Sequence, residues 1–238
     1  MNGKLFGKKC LVTGASRGIG KSIVKRLLES GAKVVASASN NEGLIALEAE
    51  FSNFSQNLIT ISADLSSTSD VDMLCRSVTT AVGNIDILIN NAGILHLEDL
   101  QNCSEDLLRK SFEVNFFSAF ALSRYFSESM IKNSSGIIIN ICSSSSYMVV
   151  APQHSIYAST KHALLGLTRA LDEELRPHNI RVGSVSPAGV STDMMSGRGD
   201  LDHSTFMSAD DVASSVMVLV ESDGPGIIYE MRMWRMNR

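Results

Sequence analysis

The chain has 238 residues, of which 44% are hydrophobic and 19% charged, and its formal net charge is −4. This balance is typical of a globular protein, and without a block of basic residues nothing indicates nucleic-acid binding. The sequence has no signal-peptide pattern at its start, no apolar run of about 18 residues, and no metal-ligand spacing among its four cysteines. We expect one cytoplasmic domain over residues 1–238, without a metal and with reduced thiols.

A glycine-rich loop joins the first predicted strand to the first predicted helix. Residues 10–13 are apolar, and apolar side chains then recur at helical spacing up to Gly31. Between them, Gly14, Gly18 and Gly20 suit a tight turn, a close approach of phosphates and close helix packing, respectively. A diphosphate can bind at such a helix N-terminus, where free N–H groups and the helix dipole favour anions. The alternative for this loop alone is a plain turn.

The end of the second predicted strand, residues 33–38, bears on the choice of dinucleotide. In dinucleotide-binding folds, a carboxylate at this point binds the ribose hydroxyls and repels a 2′-phosphate. Here Ser37, Ser39 and Asn40 occupy the segment instead, and Arg17 in the glycine loop could pair with a 2′-phosphate. The pattern favours NADP over NAD. The alternative is that Asn40 only caps the next helix and Arg17 is solvated.

Strands and helices alternate along the rest of the chain. Further strands are predicted at residues 58–63, 85–89, 137–141, 180–185 and 227–233. Further helices are predicted at 42–51, from residue 69 onward, at 104–132, around Tyr157 up to residue 175, and at 208–220. Two of these helices begin with the capping boxes Ser69/Asp72 and Ser208/Asp211. Residues 195–206 are expected to form a mobile loop. This alternation predicts an α/β fold of three αβα layers, with a doubly wound, Rossmann-type sheet of seven mostly parallel strands.

Tyr157 and Lys161 lie at positions i and i+4 of one predicted helix, so both side chains leave the same face. A nearby ammonium favours a phenolate, so we expect Lys161 to lower the pKa of Tyr157. A tyrosine tuned in this way can exchange a proton with a carbonyl or an alcohol. Asn115 lies in an apolar helical stretch and is either a satisfied core amide or a site residue.

Taken together and in this order, the motifs resemble those of the short-chain dehydrogenase/reductase family over essentially the whole chain. The resemblance implies that the TGxxxGxG loop and the Asn-Asn-Ala-Gly turn bind a dinucleotide, with Asp64 contacting the adenine. The dinucleotide-binding residues assigned in this way are Gly14, Ser16, Arg17, Gly18, Ile19, Gly20, Ser37, Ser39, Asn40, Asp64, Leu65, Asn91, Ala92, Gly93, Tyr157, Lys161, Pro187, Gly189, Val190 and Thr192.

The resemblance also implies a catalytic set of Asn115, Tyr157, Lys161 and one serine. Register along the fifth strand assigns the serine to Ser143, whereas the usual spacing to the tyrosine assigns it to Ser144. We favour Ser143, because strand pairing is harder to shift than a loop. The implied function is NADPH-dependent reduction of a ketone or aldehyde, or the reverse oxidation, on a 3-oxoacyl thioester or a small carbonyl or diketone.

Three further expectations accompany the resemblance. The alternative function is a non-enzymatic NADP(H)-binding sensor or regulator, although such relatives usually lose the tyrosine or the lysine. The protein is expected to be a homodimer or homotetramer that pairs through the long helix around Asn115 and the Tyr157 helix. The aromatic residues of the long helix, Phe116, Phe117, Phe120 and Phe126, are either surface or core. The walls that select a small-molecule substrate are expected in loops 96–100, 147–154 and 194–206.

Overall fold

The computed structural model describes residues 3–149, 151–195, 205–222, 224 and 226–235. Its strands are β1 (Lys9–Thr13), β2 (Lys33–Ala38), β3 (Leu58–Ser62), β4 (Ile87–Asn90), β5 (Gly136–Ile141), β6 (Ile180–Pro187) and β7 (Glu230–Met233). Its α-helices are α1 (Gly18–Glu29), α2 (Asn41–Glu50), α3 (Thr68–Val82), α4 (Glu105–Phe112), α5 (Ser118–Asn133), α6 (Ser155–Leu175) and α7 (Ala209–Glu221).

The strands described here form one sheet in the order β3-β2-β1-β4-β5-β6-β7, and every neighbouring pair is parallel. This confirms the predicted doubly wound, Rossmann-type sheet of seven strands. The central strands are buried on both faces, which explains their nearly continuous apolar sequence. Strand order reverses between β1 and β4, and in such sheets a crevice opens at that point, beyond the carboxyl ends of the strands.

Apolar clusters pack on both faces of the sheet. One includes Ile23 of α1 and Val216 of α7, and the other includes Leu74 of α3 and Phe126 of α5. Together they make three layers, as predicted. Phe126 is only 2% exposed and belongs to the core, whereas Phe117 and Phe120 are 47% and 43% exposed. Phe126 is therefore a core residue and Phe117 and Phe120 are surface residues, whereas Phe116 is partly buried.

The capping box predicted for α3 is displaced by two residues. The N-cap is Ser67, whose Oγ accepts a hydrogen bond from the backbone N–H of Asp70, and not Ser69 with Asp72. The sequence holds two overlapping serine–aspartate frames here. The first frame forms because the Asp70 carboxylate also accepts from the backbone N–H of Asp64, at 3.2 Å, at the end of β3. At α7, the predicted capping box of Ser208 and Asp211 does form.

The segment after β6 returns to the carboxyl edge of the sheet. Most of the predicted mobile loop, residues 196–204, lies outside the described residues. Beyond it, Met207 pairs with Val190 in an isolated parallel bridge and donates its backbone N–H to the Gly189 carbonyl at 3.1 Å. The predicted last strand is shorter than expected, because its ladder with β6 begins only at Glu230. None of the described helices is long and apolar enough to cross a membrane.

Candidate active site

A cavity of ≈ 750 Å³ lies beyond the carboxyl ends of the strands. It extends from the glycine loop after β1 to the segment after β6. The predicted dinucleotide-binding residues that line it are Gly14, Ser16, Arg17, Gly18, Ile19, Gly20, Ser39, Asn40, Asp64, Leu65, Asn91, Ala92, Gly93, Tyr157, Lys161, Pro187, Gly189, Val190 and Thr192. Both candidate serines, Ser143 and Ser144, line it as well. One space thus brings together nearly all of the predicted site residues.

Ser37 does not reach this cavity, contrary to its prediction as a dinucleotide-binding residue. It is 1% exposed, because the sheet register places it between Thr13 of β1 and Ile61 of β3, short of the strand end. Its backbone carbonyl accepts a hydrogen bond from Ala15 N–H at 2.9 Å. Ser37 therefore supports the glycine loop through its main chain and cannot contact a ligand in the cavity.

The glycine loop is shaped by backbone geometry that side chains would prevent. Gly14 and Gly18 have positive φ angles of 62° and 54°, a region that residues with a Cβ rarely adopt. A Cβ on Gly20 would lie 2.1 Å from the Gly14 carbonyl oxygen and 2.6 Å from the Nδ2 of Asn91. The loop and the turn after β4 consequently pack backbone against backbone, and Asn91 Nδ2 donates to the carbonyls of Thr13 and Gly14.

Helix α1 begins at Gly18, which lines the cavity. Its N-cap is Arg17, whose side chain makes no capping hydrogen bond, and its first turn holds no acidic residue. The first N–H groups of the helix and its positive dipole end are therefore suited to an anion. A Cβ on Gly18 would lie 3.2 Å from Thr192 Cγ2, so the glycine preserves the space between the loop and the segment after β6. This cradle fits the diphosphate of a dinucleotide.

The end of β2 carries no carboxylate into the cavity. Ser39 and Asn40 are exposed there, and Asn40 caps α2 by accepting the Glu42 N–H at 3.1 Å. Arg17 forms an ion pair with Asp193, at 3.2 Å, and both side chains are largely exposed. Exposed pairs of this kind contribute little stability, so Arg17 can be redirected to a ligand at small cost. The site thus presents polar and cationic groups, and no carboxylate, at the end of β2.

Asp64 lines the cavity at the end of β3 as a carboxylate. Its Oδ1 accepts hydrogen bonds from the backbone N–H of Ser66 at 2.9 Å and from the Ser66 hydroxyl at 2.8 Å. These bonds hold the pKa of Asp64 below its ordinary value, with a smaller contribution from the charge of Lys110. A fixed acceptor at this position suits the exocyclic amine of an adenine.

Asn115 lies in a π-helical stretch, Glu113–Phe117, that joins α4 to α5. Its Oδ1 accepts the Ile94 N–H at 2.7 Å, and its Nδ2 donates to the Ile94 carbonyl at 2.9 Å and to Thr160 Oγ1 at 3.0 Å. The amide is thus satisfied and 1% exposed, and it does not line the cavity. It is nevertheless at the site, because it ties the turn after β4 to α6 one residue before Lys161.

Tyr157 and Lys161 both project from α6 into the cavity, as their spacing predicts. Lys161 is 4% exposed, and its Nζ donates to the Ile141 carbonyl at 2.9 Å and lies 5.9 Å from the centre of the Tyr157 ring. Burial lowers the pKa of Lys161. Burial also raises the pKa of Tyr157, which is opposite to the expected direction. Loss of solvent around the buried phenol is the largest cause of this rise.

Ser143 is the serine that meets Tyr157. The nearby Ser143 side chain partly offsets the rise in the pKa of Tyr157. Ser143 is 7% exposed and caps a short 3₁₀ turn, where its Oγ accepts the Ser145 N–H at 3.1 Å. Ser144 lines the cavity as the first residue of that turn. Both serines line the cavity, so the choice of Ser143 stays a prediction, which its proximity to Tyr157 favours.

The predicted substrate walls are found only in part. Phe206 of loop 194–206 lines the cavity, whereas residues 96–100 do not. Two residues at the site were not predicted, namely Arg235, which lines the cavity, and Thr160, which bonds to Asn115. Thr160, three residues after Tyr157, could have been found from its place on the same helix face. Nothing in the sequence indicated Arg235, because its position depends on how β7 pairs with β6.

These observations agree with comparisons to known proteins. Residues 8–201 match the short chain dehydrogenase family, so the chain belongs to the short-chain dehydrogenase family of oxidoreductases. It is 37% identical over 189 residues to carbonyl reductase (NADPH) 2 of Sus scrofa, covering 79% of this chain and 74% of that protein. It is 33% identical over 196 residues to a 3-oxoacyl-acyl-carrier-protein reductase of Vibrio cholerae, covering 82% and 79%. A metagenomic short-chain oxidoreductase crystallised in complex with NADP superposes with a TM-score of 0.84 at 31% identity, covering 97% of this chain and 99% of that one.

Proposed function

We propose that this protein is an NADP(H)-dependent carbonyl reductase that converts a ketone or aldehyde to an alcohol, or catalyses the reverse reaction. The observation that carries the proposal is the meeting of Ser143, Tyr157 and Lys161 in the same cavity as the glycine loop. Donors for a carbonyl oxygen and a cradle for a diphosphate thus share one space. The bound dinucleotide would supply or accept the hydride.

Each side chain has a distinct part in this mechanism. Ser143 and Tyr157 hold the substrate oxygen by hydrogen bonds, and Tyr157 donates its proton to that oxygen as negative charge develops. The raised pKa of Tyr157 keeps the phenol protonated at neutral pH, which suits an acid in the reducing direction. Lys161, fixed by the Ile141 carbonyl, holds the nicotinamide ribose, and Asn115 keeps α6 in register with the turn after β4.

Substitution of Tyr157 tests the reductase proposal. Tyr157→Phe removes the proton donor and keeps the ring, so we expect turnover to fall at least about 100-fold while NADPH binding persists. Ser143→Ala should reduce kcat more than Ser144→Ala, because Ser143 is the serine whose side chain influences the pKa of the phenol. The assay follows the absorbance of reduced nicotinamide with acetoacetyl thioesters, diketones and aldehydes. Full turnover by Tyr157→Phe would contradict the mechanism. Tight NADPH binding without turnover of any carbonyl would favour the sensor function.

The preference for NADP over NAD rests on Arg17, Ser39 and Asn40. Loss of a charge-assisted bond to the 2′-phosphate should weaken NADPH binding by Arg17→Ala about 10-fold or more. NADH binding should change little, since NADH lacks that phosphate. Lys25→Ala is the matched control, because Lys25 is an exposed cation of the same helix outside the cavity. Equal losses for both dinucleotides would refute the assignment to Arg17.

We further propose that the protein is a homodimer or homotetramer. The support is the exposure of Phe117 and Phe120 on the helix that contains Asn115, together with Tyr125, which is 40% exposed. Apolar surface of this kind favours burial between copies. Light scattering measures the assembly directly, and a monomer at micromolar concentration would refute the proposal.

A further inference from the structure

Arg235, the last described residue, lies in the same cavity wall as Phe206. Arg235 follows β7 by two residues and lines the cavity together with Gly189 and Phe206. β7 pairs with β6 up to Met233, whose carbonyl accepts the Ala188 N–H at 3.0 Å. The sheet itself therefore carries Arg235 to the carboxyl edge, where β6 leads into the segment at Gly189.

The Arg235 side chain is held by two contacts. Its guanidinium lies 5.1 Å from the centre of the Phe206 ring, a cation–π distance, and its Nη1 donates to Thr205 Oγ1 at 3.1 Å. Phe206 is itself placed against the end of β6, since a Cβ on Gly189 would lie 3.2 Å from its ring. The guanidinium is thus oriented in advance, and among the described residues its only hydrogen bond is the one to Thr205.

Three other charged groups that line the cavity already have partners, whereas Lys110 acts only through its charge near Asp64. Arg17 pairs with Asp193 at 3.2 Å, and Lys161 donates to a backbone carbonyl. Asp64 is bonded to Ser66. In contrast, no carboxylate in the described part of the chain lies within ion-pair distance of the half-buried Arg235. A cation in this setting offers strong binding to an anion, because its surroundings are already partly dry.

We propose that Arg235 is a specificity-determining residue that binds a carboxylate on the substrate. The substrate class is then an oxo acid, whose carbonyl lies at Tyr157 and whose carboxylate pairs with the guanidinium. A planar carboxylate matches the forked donors of arginine in two parallel hydrogen bonds. The inference rests on the proposed carbonyl reductase function and narrows its substrates.

Matched pairs of substrates test the inference. The rates of NADPH oxidation are measured for 2-, 3- and 4-oxo acids and for the methyl ester of each acid. Wild type should prefer the acid of at least one pair. Arg235→Gln should lower kcat/KM for that acid by about 10- to 100-fold and leave the ester within about threefold, the range expected for one hydrogen-bonded charge. Arg109→Gln removes an exposed arginine of α4 outside the cavity and should change neither rate.

Binding supplies a second measurement that does not require turnover. Calorimetric titration of the same acids and esters into the NADPH-loaded protein should show that Arg235→Gln weakens the acid alone, by a similar factor. If esters and acids are reduced or bound equally by wild type, or if Arg235→Gln weakens both alike, the inference is overturned while the reductase function stands. If the acid binds through Arg235 and no carbonyl is reduced, the inference holds and the proposed function fails.

Discussion

Gly20 provides the most direct test of how the glycine loop is built. A Cβ at this position would lie 2.1 Å from the Gly14 carbonyl oxygen and 2.9 Å from its carbonyl carbon, and both are backbone atoms. It would also lie 2.6 Å from Asn91 Nδ2, which bonds to that same carbonyl. Gly20→Ala therefore cannot be accommodated by turning a flexible side chain. The loop or the start of α1 must move.

The size of the effect follows from two opposing contributions. Overpacking against fixed atoms costs about 3 kcal/mol, whereas replacing a helical glycine by alanine returns about 1 kcal/mol. We expect the unfolding free energy to fall by about 2 kcal/mol, which lowers Tm by roughly 4–8 °C in a domain of this size. NADPH affinity should fall as well, because the same shift displaces the N–H groups at the α1 N-terminus.

Gly166 supplies the matched control for this substitution. It is an exposed glycine inside α6, and a Cβ there would meet nothing within 4 Å. Gly166→Ala should therefore raise the unfolding free energy by up to about 1 kcal/mol through helix propensity alone. Both variants are measured by denaturant unfolding and by NADPH titration. The packing argument is refuted if Gly20→Ala is as stable as Gly166→Ala and binds NADPH like the wild type.

Two further predictions concern parts of the fold outside the glycine loop. Glu230 accepts a hydrogen bond from Tyr147 and two from Arg169, and these hold its pKa below the ordinary value. Glu230→Gln should lower the unfolding free energy by about 1–3 kcal/mol at pH 7. As pH falls below the ordinary glutamate pKa, the unfolded chain takes up the proton first, so the stability difference between wild type and variant should shrink. A difference that persists at low pH would contradict this prediction. Phe126→Ala should lower the unfolding free energy measured in urea by about 3–5 kcal/mol. Phe120→Ala should change that free energy by at most about 0.5 kcal/mol and should weaken self-association instead. Equal losses of stability in the two variants would refute the assignment of Phe126 to the core.

Much of the fold could be predicted because each level of the sequence points to the same structure. Apolar runs separated by helical periodicity define the order of strands and helices, and parallel strands then bring the ends of β1, β4 and β5 to one edge. This order of elements, together with the resemblance to the short-chain dehydrogenase/reductase family, is why the glycine loop, the turn at Asn91 and the helix of Tyr157 could be placed around one site.

The errors arise where tertiary contacts decide between local alternatives. Ser67 and Ser69 each begin a capping frame, and only the bond from Asp64 N–H to Asp70 selects the first. Ser37 resembles its neighbour Ser39 in sequence, yet the register with β1 and β3 encloses it. The pKa of Tyr157 depends on the balance of burial and charge, which spacing along a helix does not reveal.

The position of Phe206 and Arg235 in the sequence matters for redesign of the cavity. The match to the family ends at residue 201, whereas Phe206 and Arg235 lie beyond it. The hydride chemistry and this wall therefore come from separable stretches of sequence. A chimera that exchanges residues 205–235 for those of a relative would alter the wall while retaining Ser143 and Tyr157, which makes this short stretch the natural place to begin changing the enzyme's selectivity.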